Sequence, residues 1–253
     1  IAFMTTDGEL FLVNPDGSEQ LKLAGDTQVQ GGPLGAVMAQ PRDVSFFYSW
    51  PTWSPDGKKL AASLVKVTGG QPEISVQVID ASTGEATTVF QNEVPGLVAE
   101  NAPHYLYWSP DSRTLAVLAS TSQGLTLFAA DTESLTDPTV IESGAPLYFH
   151  WGADGQSMLL HVGDELKFLT RPFGASSGQP IDADPGFRVP ALSPDGRYMA
   201  YMGTGTPAGS LLIAETGDTG TARNALDIGS RAAFAWSPQG GDLAVADQQN
   251  DNA

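Results

Sequence analysis

The chain has no cysteine among its 253 residues, which excludes disulfides, thiolate metal sites and cysteine nucleophiles together. Positive charge is scarce as well. Lys and Arg number 12 against 29 acids, a formal net charge of -17, although charged residues make up only 16% of the chain. Such a field repels phosphate backbones, and no basic cluster with interleaved aromatics offsets it, so a nucleic-acid partner is not expected. No 18-residue apolar run exists, so no transmembrane helix and no direct membrane insertion are expected of this segment. Histidines number three, His104, His150 and His161, and no His-Glu-x-x-His pair or Gly-x-Ser-x-Gly elbow occurs.

What the chain does have is a short pattern written five times: Trp53-Ser54-Pro55-Asp56-Gly57, Trp108-Ser109-Pro110-Asp111-Ser112, Trp151-Gly152-Ala153-Asp154-Gly155, Leu192-Ser193-Pro194-Asp195-Gly196 and Trp236-Ser237-Pro238-Gln239-Gly240. Its turn positions, 55, 110, 153, 194 and 238, are 55, 43, 41 and 44 residues apart. That period fits a repeat architecture of four-stranded units. The chemistry of each copy is that of a hairpin. Pro presets φ, Asp tolerates unusual backbone conformations, and Gly accepts positive φ. Aromatic stretches such as Tyr105-Leu106-Tyr107-Trp108 precede the turn, and apolar runs such as Leu115 to Ala119 follow it. Those runs do not alternate, as expected of strands covered on both faces.

A second hairpin follows in each unit: Ser75 to Asp80 with Ala86 to Phe90, Leu125 to Ala130 with Thr139 to Ile141, Leu166 to Thr170 with Gln179 to Ile181, and Leu211 to Ala214 with Ala222 to Leu226. Four units are therefore complete. At the start, Ile1 to Met4, Glu9 to Asn14 and Glu19 to Leu23 read as a unit without its first strand. At the end, Ala232 to Trp236 and Leu243 to Asp247 read as a unit with only its first two.

The repeat Trp-Ser-Pro-Asp-Gly-x-x-Leu-Ala resembles the TolB-type propeller repeat, shared with Tricorn-core propellers and the propellers of prolyl oligopeptidase relatives. The resemblance implies an all-β fold: a β-propeller of four-stranded antiparallel blades. Six blades are expected, or five, with a terminal blade incomplete or closed by both termini. Residues 1–253 are expected to form a single propeller domain, part of a longer chain. The expected function is a non-catalytic interaction propeller, a protein-protein scaffold of the cell envelope or exterior, and hence an extracytoplasmic location. The alternatives are a substrate-gating propeller of a larger serine hydrolase and a glycan-binding or lyase-type propeller.

No catalytic or metal-ligating set emerges. Asp182 and Asp184 sit at alternate positions, where calcium is conceivable, but they lack the ligand spacing of a calcium loop, and no cofactor is expected. The residues Trp53, Asp56, Gly57, Trp108, Asp111, Trp151, Asp154, Gly155, Asp195, Gly196 and Trp236 are assigned to the structural repeat. In the family's usual arrangement, first strands line the central channel. The face for a partner or ligand is then placed on long connections at 26–50 and 92–104, with Arg42, Phe46, Phe47, Tyr48 and Trp50, joined by His104, Tyr105, Tyr148, Phe187, Arg188 and Arg231. Aromatic anchors within a polar rim are what a protein partner needs.

Overall fold

A computed structural model of the chain describes residues 1–24, 44–68, 71–92, 104–134, 136–171, 173, 178–183, 189–203, 209–228 and 232–247. Every regular element among them is a β-strand. The chain forms two compact units, Ile1–Pro138 and Thr139–Ala253.

The first unit opens with an antiparallel three-stranded sheet, β1 (Ala2–Met4), β2 (Leu10–Leu12) and β3 (Leu21–Ala24). A four-stranded sheet follows in chain order: β4 (Val44–Trp53), β5 (Lys59–Thr68), β6 (Gln71–Asp80) and β7 (Ala86–Gln91). Next come β8 (His104–Trp108), β9 (Thr114–Thr121) and β10 (Gly124–Asp131), paired in succession. The second unit begins with β11 (Thr139–Ser143). It continues with two four-stranded sheets. One is β12 (Leu147–Trp151), β13 (Ser157–Val162), β14 (Glu165–Thr170) and β15 (Gly178–Ile181). The other is β16 (Ala191–Leu192), β17 (Tyr198–Gly203), β18 (Gly209–Glu215) and β19 (Asp218–Ile228). Last comes the two-stranded sheet β20 (Ala232–Trp236) and β21 (Leu243–Asp247). The three-stranded start, the two-stranded end and the strands between them follow the repeat as read from the sequence.

One segment departs from that reading. Residues 44–50 are strand, not part of a long connection: β4 pairs with β5 from Val44↔Thr68 to Ser49↔Ser63 and again from Thr52↔Ala61. Val-Ser-Phe-Phe-Tyr-Ser-Trp is rich in β-branched and aromatic residues, which suit a pleated, half-buried surface.

Within each unit, consecutive sheets pack face to face. Leu10 and Leu23 meet Tyr48, Leu60, Ala62 and Ile79 in one cluster. Val76, Val89 and Phe90 meet Leu106, Trp108, Leu115 and Val117 in the next. In the second unit, Leu159, Leu166 and Ile181 meet Leu192, Met199 and Tyr201. Second strands are the spine of this arrangement. The four positions that follow the turn are wholly buried in β5 (Leu60, Ala61, Ala62, Ser63), β13 (Met158 to His161) and β17 (Met199 to Met202), and nearly so in β9 (Leu115 to Leu118). Burial on both faces explains why these runs do not alternate.

The turns follow one plan. Position five has positive φ in every copy: Gly57 72°, Ser112 61°, Gly155 66°, Gly196 73° and Gly240 78°. Its amide donates 2.9 Å to the carbonyl of position two throughout. The motif Ser and Asp form a bracket across the turn. Ser54 Oγ donates to Asp56 Oδ1 (2.7 Å), Asp56 Oδ1 accepts the Lys58 amide (3.1 Å), and Ser54 Oγ accepts the Lys59 amide (2.9 Å). Ser193, Asp195, Arg197 and Tyr198 repeat it at 2.7, 3.1 and 2.9 Å. The Ser193 hydroxyl, the Arg197 amide and the Arg197 guanidinium hold the Asp195 carboxylate low, at about 2.

In the third copy the serine is missing and the bracket is rebuilt. Gly152 stands at position two, and Ser157, on the far side of the hairpin, donates its hydroxyl to Asp154 Oδ1 (3.3 Å). A Cβ on Gly152 would lie 2.0 Å from Ser157 Oγ, so the two hydroxyl positions exclude each other.

Candidate interaction face

The exposed aromatic residues of the first unit gather on β4 and β8, the first strands of two neighbouring sheets. Their contact is fixed by the motif tryptophan: Trp108 is buried, and its Nε1 donates 3.1 Å to the Thr52 carbonyl on β4. Trp236 donates likewise, 3.3 Å, to the Ala191 carbonyl of β16 in the second unit. Thr52 and Ala191 are equivalent, each one residue before the motif's first position. In these two copies the motif tryptophan thus ties its first strand to the one before it.

On β8 the exposure alternates. His104, Leu106 and Trp108 are buried, while Tyr105 (39%) and Tyr107 (53%) face outward. On β4 the alternation is broken by a bulge: Trp50 and Pro51 together stand opposite Ala62, between the Ser49↔Ser63 and Thr52↔Ala61 pairs. Trp50 has φ 52°, a left-handed conformation unusual for a bulky residue, and stands directly before a proline. The result is a re-aimed indole. Trp50 is 57% exposed, with Phe47 at 43% and Trp53 at 37% nearby on the strand. Bulges of this kind turn side chains toward function, and backbone strain of about 1–3 kcal/mol persists only where the surroundings enforce it.

Behind this face runs a buried polar relay. The His104 ring, 1% exposed, has Nδ1 2.7 Å from Ser63 Oγ and Nε2 2.8 Å from Asn92 Oδ1. Asn92 Oδ1 only accepts, so Nε2 carries the proton and Nδ1 accepts from the Ser63 hydroxyl. Burial holds the imidazole down, at about 4. Phe90 lies edge-on to it at 5.4 Å. Ser, His and Asn in line resemble the parts of a nucleophilic triad. Here Ser63 is fully buried in the middle of β5, beyond the reach of a substrate. Two atoms of the region have no hydrogen-bond partner among the described residues, Ser49 Oγ and Asn92 Nδ2.

The residues expected at this face divide. Phe47, Trp50 and Tyr105 are exposed on adjoining strands. Tyr48 and His104 are not available to a partner: Tyr48 faces the core made by Leu10, Leu60 and Ile79, and His104 is held in the relay. In the second unit Tyr148 is half-buried on β12, its ring 5.6 Å from that of His161. Arg42, Phe187, Arg188, Arg231 and the side chain of Phe46 lie outside the described residues. Tyr107 and Trp53 join the face without having been expected there; the alternation in His-Tyr-Leu-Tyr-Trp was the signal for Tyr107. Among the described residues no group of three or more His, Asp or Glu side chains could hold a metal ion.

No protein-family model matches the chain, and no curated protein matches it. Solved structures do. A eukaryotic initiation factor superposes with a TM-score of 0.54 at 18% identity, over 80% of this chain and 50% of that one. Puromycin hydrolase gives 0.53 at 16%, over 92% of this chain and 38% of that one. A putative TolB from Agrobacterium tumefaciens gives 0.51 at 19%, over 81% of this chain and 71% of that one. The chain thus spans about half or less of two of these three proteins. The likeness, the strand content and the repeated antiparallel sheets establish an all-β propeller of TolB-like fold.

Proposed function

We propose that this chain is a non-catalytic interaction propeller that holds a partner protein on the aromatic face of β4 and β8, in the cell envelope or exterior. One observation carries the reading: Phe47, Trp50, Trp53, Tyr105 and Tyr107 are all exposed on two adjoining strands, and Trp50 is turned outward at the expense of its backbone. Exposed aromatic clusters are where protein interfaces concentrate their binding energy. The buried Ser63 hydroxyl and the net charge of -17 agree with a surface built for association with a protein rather than for hydrolysis or nucleic-acid binding. The extracytoplasmic location rests on the TolB-like fold.

The experiment is site-specific photo-crosslinking from position 50 in an extract of the native source. A single adduct of defined mass, lost in the Tyr105→Ser/Tyr107→Ser variant while the unfolding midpoint stays put, supports the reading. Adducts that survive this change overturn it.

A second reading draws on the likeness to puromycin hydrolase: the chain is the gating propeller of a larger serine hydrolase. The intact mass of the native polypeptide and labelling by a fluorophosphonate probe separate the two. A mass close to that of 253 residues without labelling supports the scaffold. A much heavier, labelled chain supports the gate.

A further inference from the structure

We infer that the aromatic face of β4 and β8 receives arginine side chains from a basic segment of its partner; this names the chemistry of the occupant and rests on that face being an interaction surface. Exposed large apolar side chains sort by type among the described residues. The aromatic ones, Phe47, Trp50, Trp53, Tyr105 and Tyr107, are all on β4 and β8, and every non-aromatic one, from Ile1 to Leu226, lies elsewhere in the chain. A surface made to bury aliphatic side chains has no reason to leave Leu, Ile, Val and Met out of its own exposed positions. Ring faces carry negative potential and favour a cation over a hydrocarbon.

Charge points the same way. Neither strand contains Asp, Glu, Lys or Arg, and the ring of His104 is buried. A cation arriving there meets no like charge on either strand. The chain as a whole carries -17. That field draws a basic segment toward the rings and repels a second copy of the same chain.

Arginine is the cation that this chain already sets on its rings. The Arg171 guanidinium lies 5.2 Å from the centroid of Phe173, and that of Arg197 lies 5.6 Å from the centroid of Tyr198. A guanidinium is planar, matches a ring face and is less strongly hydrated than an ammonium. The segments that lead into the two strands do not supply it in number. Residues 25–43 and 93–103 contain a single Lys or Arg between them, Arg42. Five exposed rings against one arginine leave the complement to another molecule.

The test uses the whole chain and labelled synthetic peptides of one design, a Gly-Ser backbone bearing arginine, citrulline or leucine at every third position. Citrulline keeps the size and planarity of arginine and lacks its charge. By fluorescence anisotropy the arginine peptide should bind about tenfold more tightly than either of the others, and more weakly as salt rises. Adhesion to any acidic surface gives the same ranking, so the deciding variants change no charge. Tyr105→Leu/Tyr107→Leu keeps two apolar side chains and removes two ring faces, and it should weaken arginine-peptide binding about tenfold with the unfolding midpoint unchanged. Trp50→Leu should weaken it in the same direction. Equal affinities for the arginine and citrulline peptides, a comparison that leaves the protein untouched, would overturn the inference, and so would arginine binding indifferent to both variants. A tenfold gain in Arg42→Gln would also overturn it, because the occupant would then be the chain's own arginine. Crosslinking from position 50 uses none of these peptides, so a chain that yields its adduct yet ignores arginine keeps the interaction face and loses the cation.

Discussion

The first two complete repeats begin from the same motif and use it differently. Trp108 is buried, bonded to the Thr52 carbonyl and packed among Val76, Phe90 and Val117, whereas Trp53 stands 37% exposed. The difference lies in what precedes each. Before Trp108 comes a sheet with a first strand, β4, whose carbonyl receives the indole. Before Trp53 comes the sheet β1 to β3, which has no first strand among the described residues. A repeat residue is therefore structural only where its neighbour supplies the other half of the contact. Where it does not, the same indole becomes part of an exposed aromatic face.

Breaking that comparison gives the largest expected effect. Trp108→Ala removes a buried ring and its hydrogen bond and should cost about 3–5 kcal/mol. Trp53→Ala should cost roughly 1–2 kcal/mol, because much of its ring is already in water. Urea unfolding midpoints decide the matter, and equal losses would refute the neighbour argument.

The position four residues before the motif tryptophan separates the repeats again. In the second it is His104, neutral in the fold at about 4 against an ordinary 6.5, because it is buried. The unfolded chain takes up the proton more readily. Stability from this group is thus complete above pH 6.5, falls as pH drops toward 4 and changes no further below that. The loss amounts to about 3 kcal/mol. His104→Gln keeps a polar group for Ser63 and Asn92 without titrating in this range. Its urea midpoint should be flatter than that of the parent between pH 6.5 and 4, and an equal slope would place the titration elsewhere.

A third contrast lies between the first and third turns, where one hydroxyl has changed strands. Gly152→Ser should cost about 1–3 kcal/mol, since the new Cβ has nowhere to go beside Ser157 Oγ. Adding Ser157→Ala to it recreates the Ser54 to Asp56 bracket and should recover most of the loss. Additive losses in the thermal midpoint would show that the hydroxyls are not interchangeable.

The turns and second strands were legible because their signals are local: Ser-Pro-Asp-Gly names a turn, and an apolar run without alternation names a strand covered on both faces. The start of β4 was not. Its alternation is interrupted at Trp50-Pro51, where the bulge shifts the period and proline reads as the end of a strand. The candidate site was legible in part for the same reason. Phe47, Trp50 and Tyr105 are aromatic and exposed, but Tyr48 and His104 differ from their neighbours Phe47 and Tyr105 only in which side of a strand they occupy, and the bulge after Ser49 places Trp50 on the exposed side out of period. The exchange of Ser for Gly152 is visible in the sequence, yet its repair by Ser157 depends on proximity across the hairpin.

The smallest effect should come from the fifth turn position. Gly57 holds its positive φ without steric cost, whereas Ser112 holds φ 61° with a side chain that pays its way by accepting the Asp56 amide at 3.0 Å, joining the second turn to the first. Ser112→Gly releases left-handed strain of about 1 kcal/mol but forfeits a hydrogen bond of similar worth, so its unfolding midpoint should barely move. Ser112→Ala loses the bond and keeps the strain, and should fall about 1 kcal/mol below the parent. If both variants lose the same amount, the Asp56 contact alone accounts for the serine. If glycine stabilises the protein instead, the contact contributes little and the second turn differs from the first only in its strain.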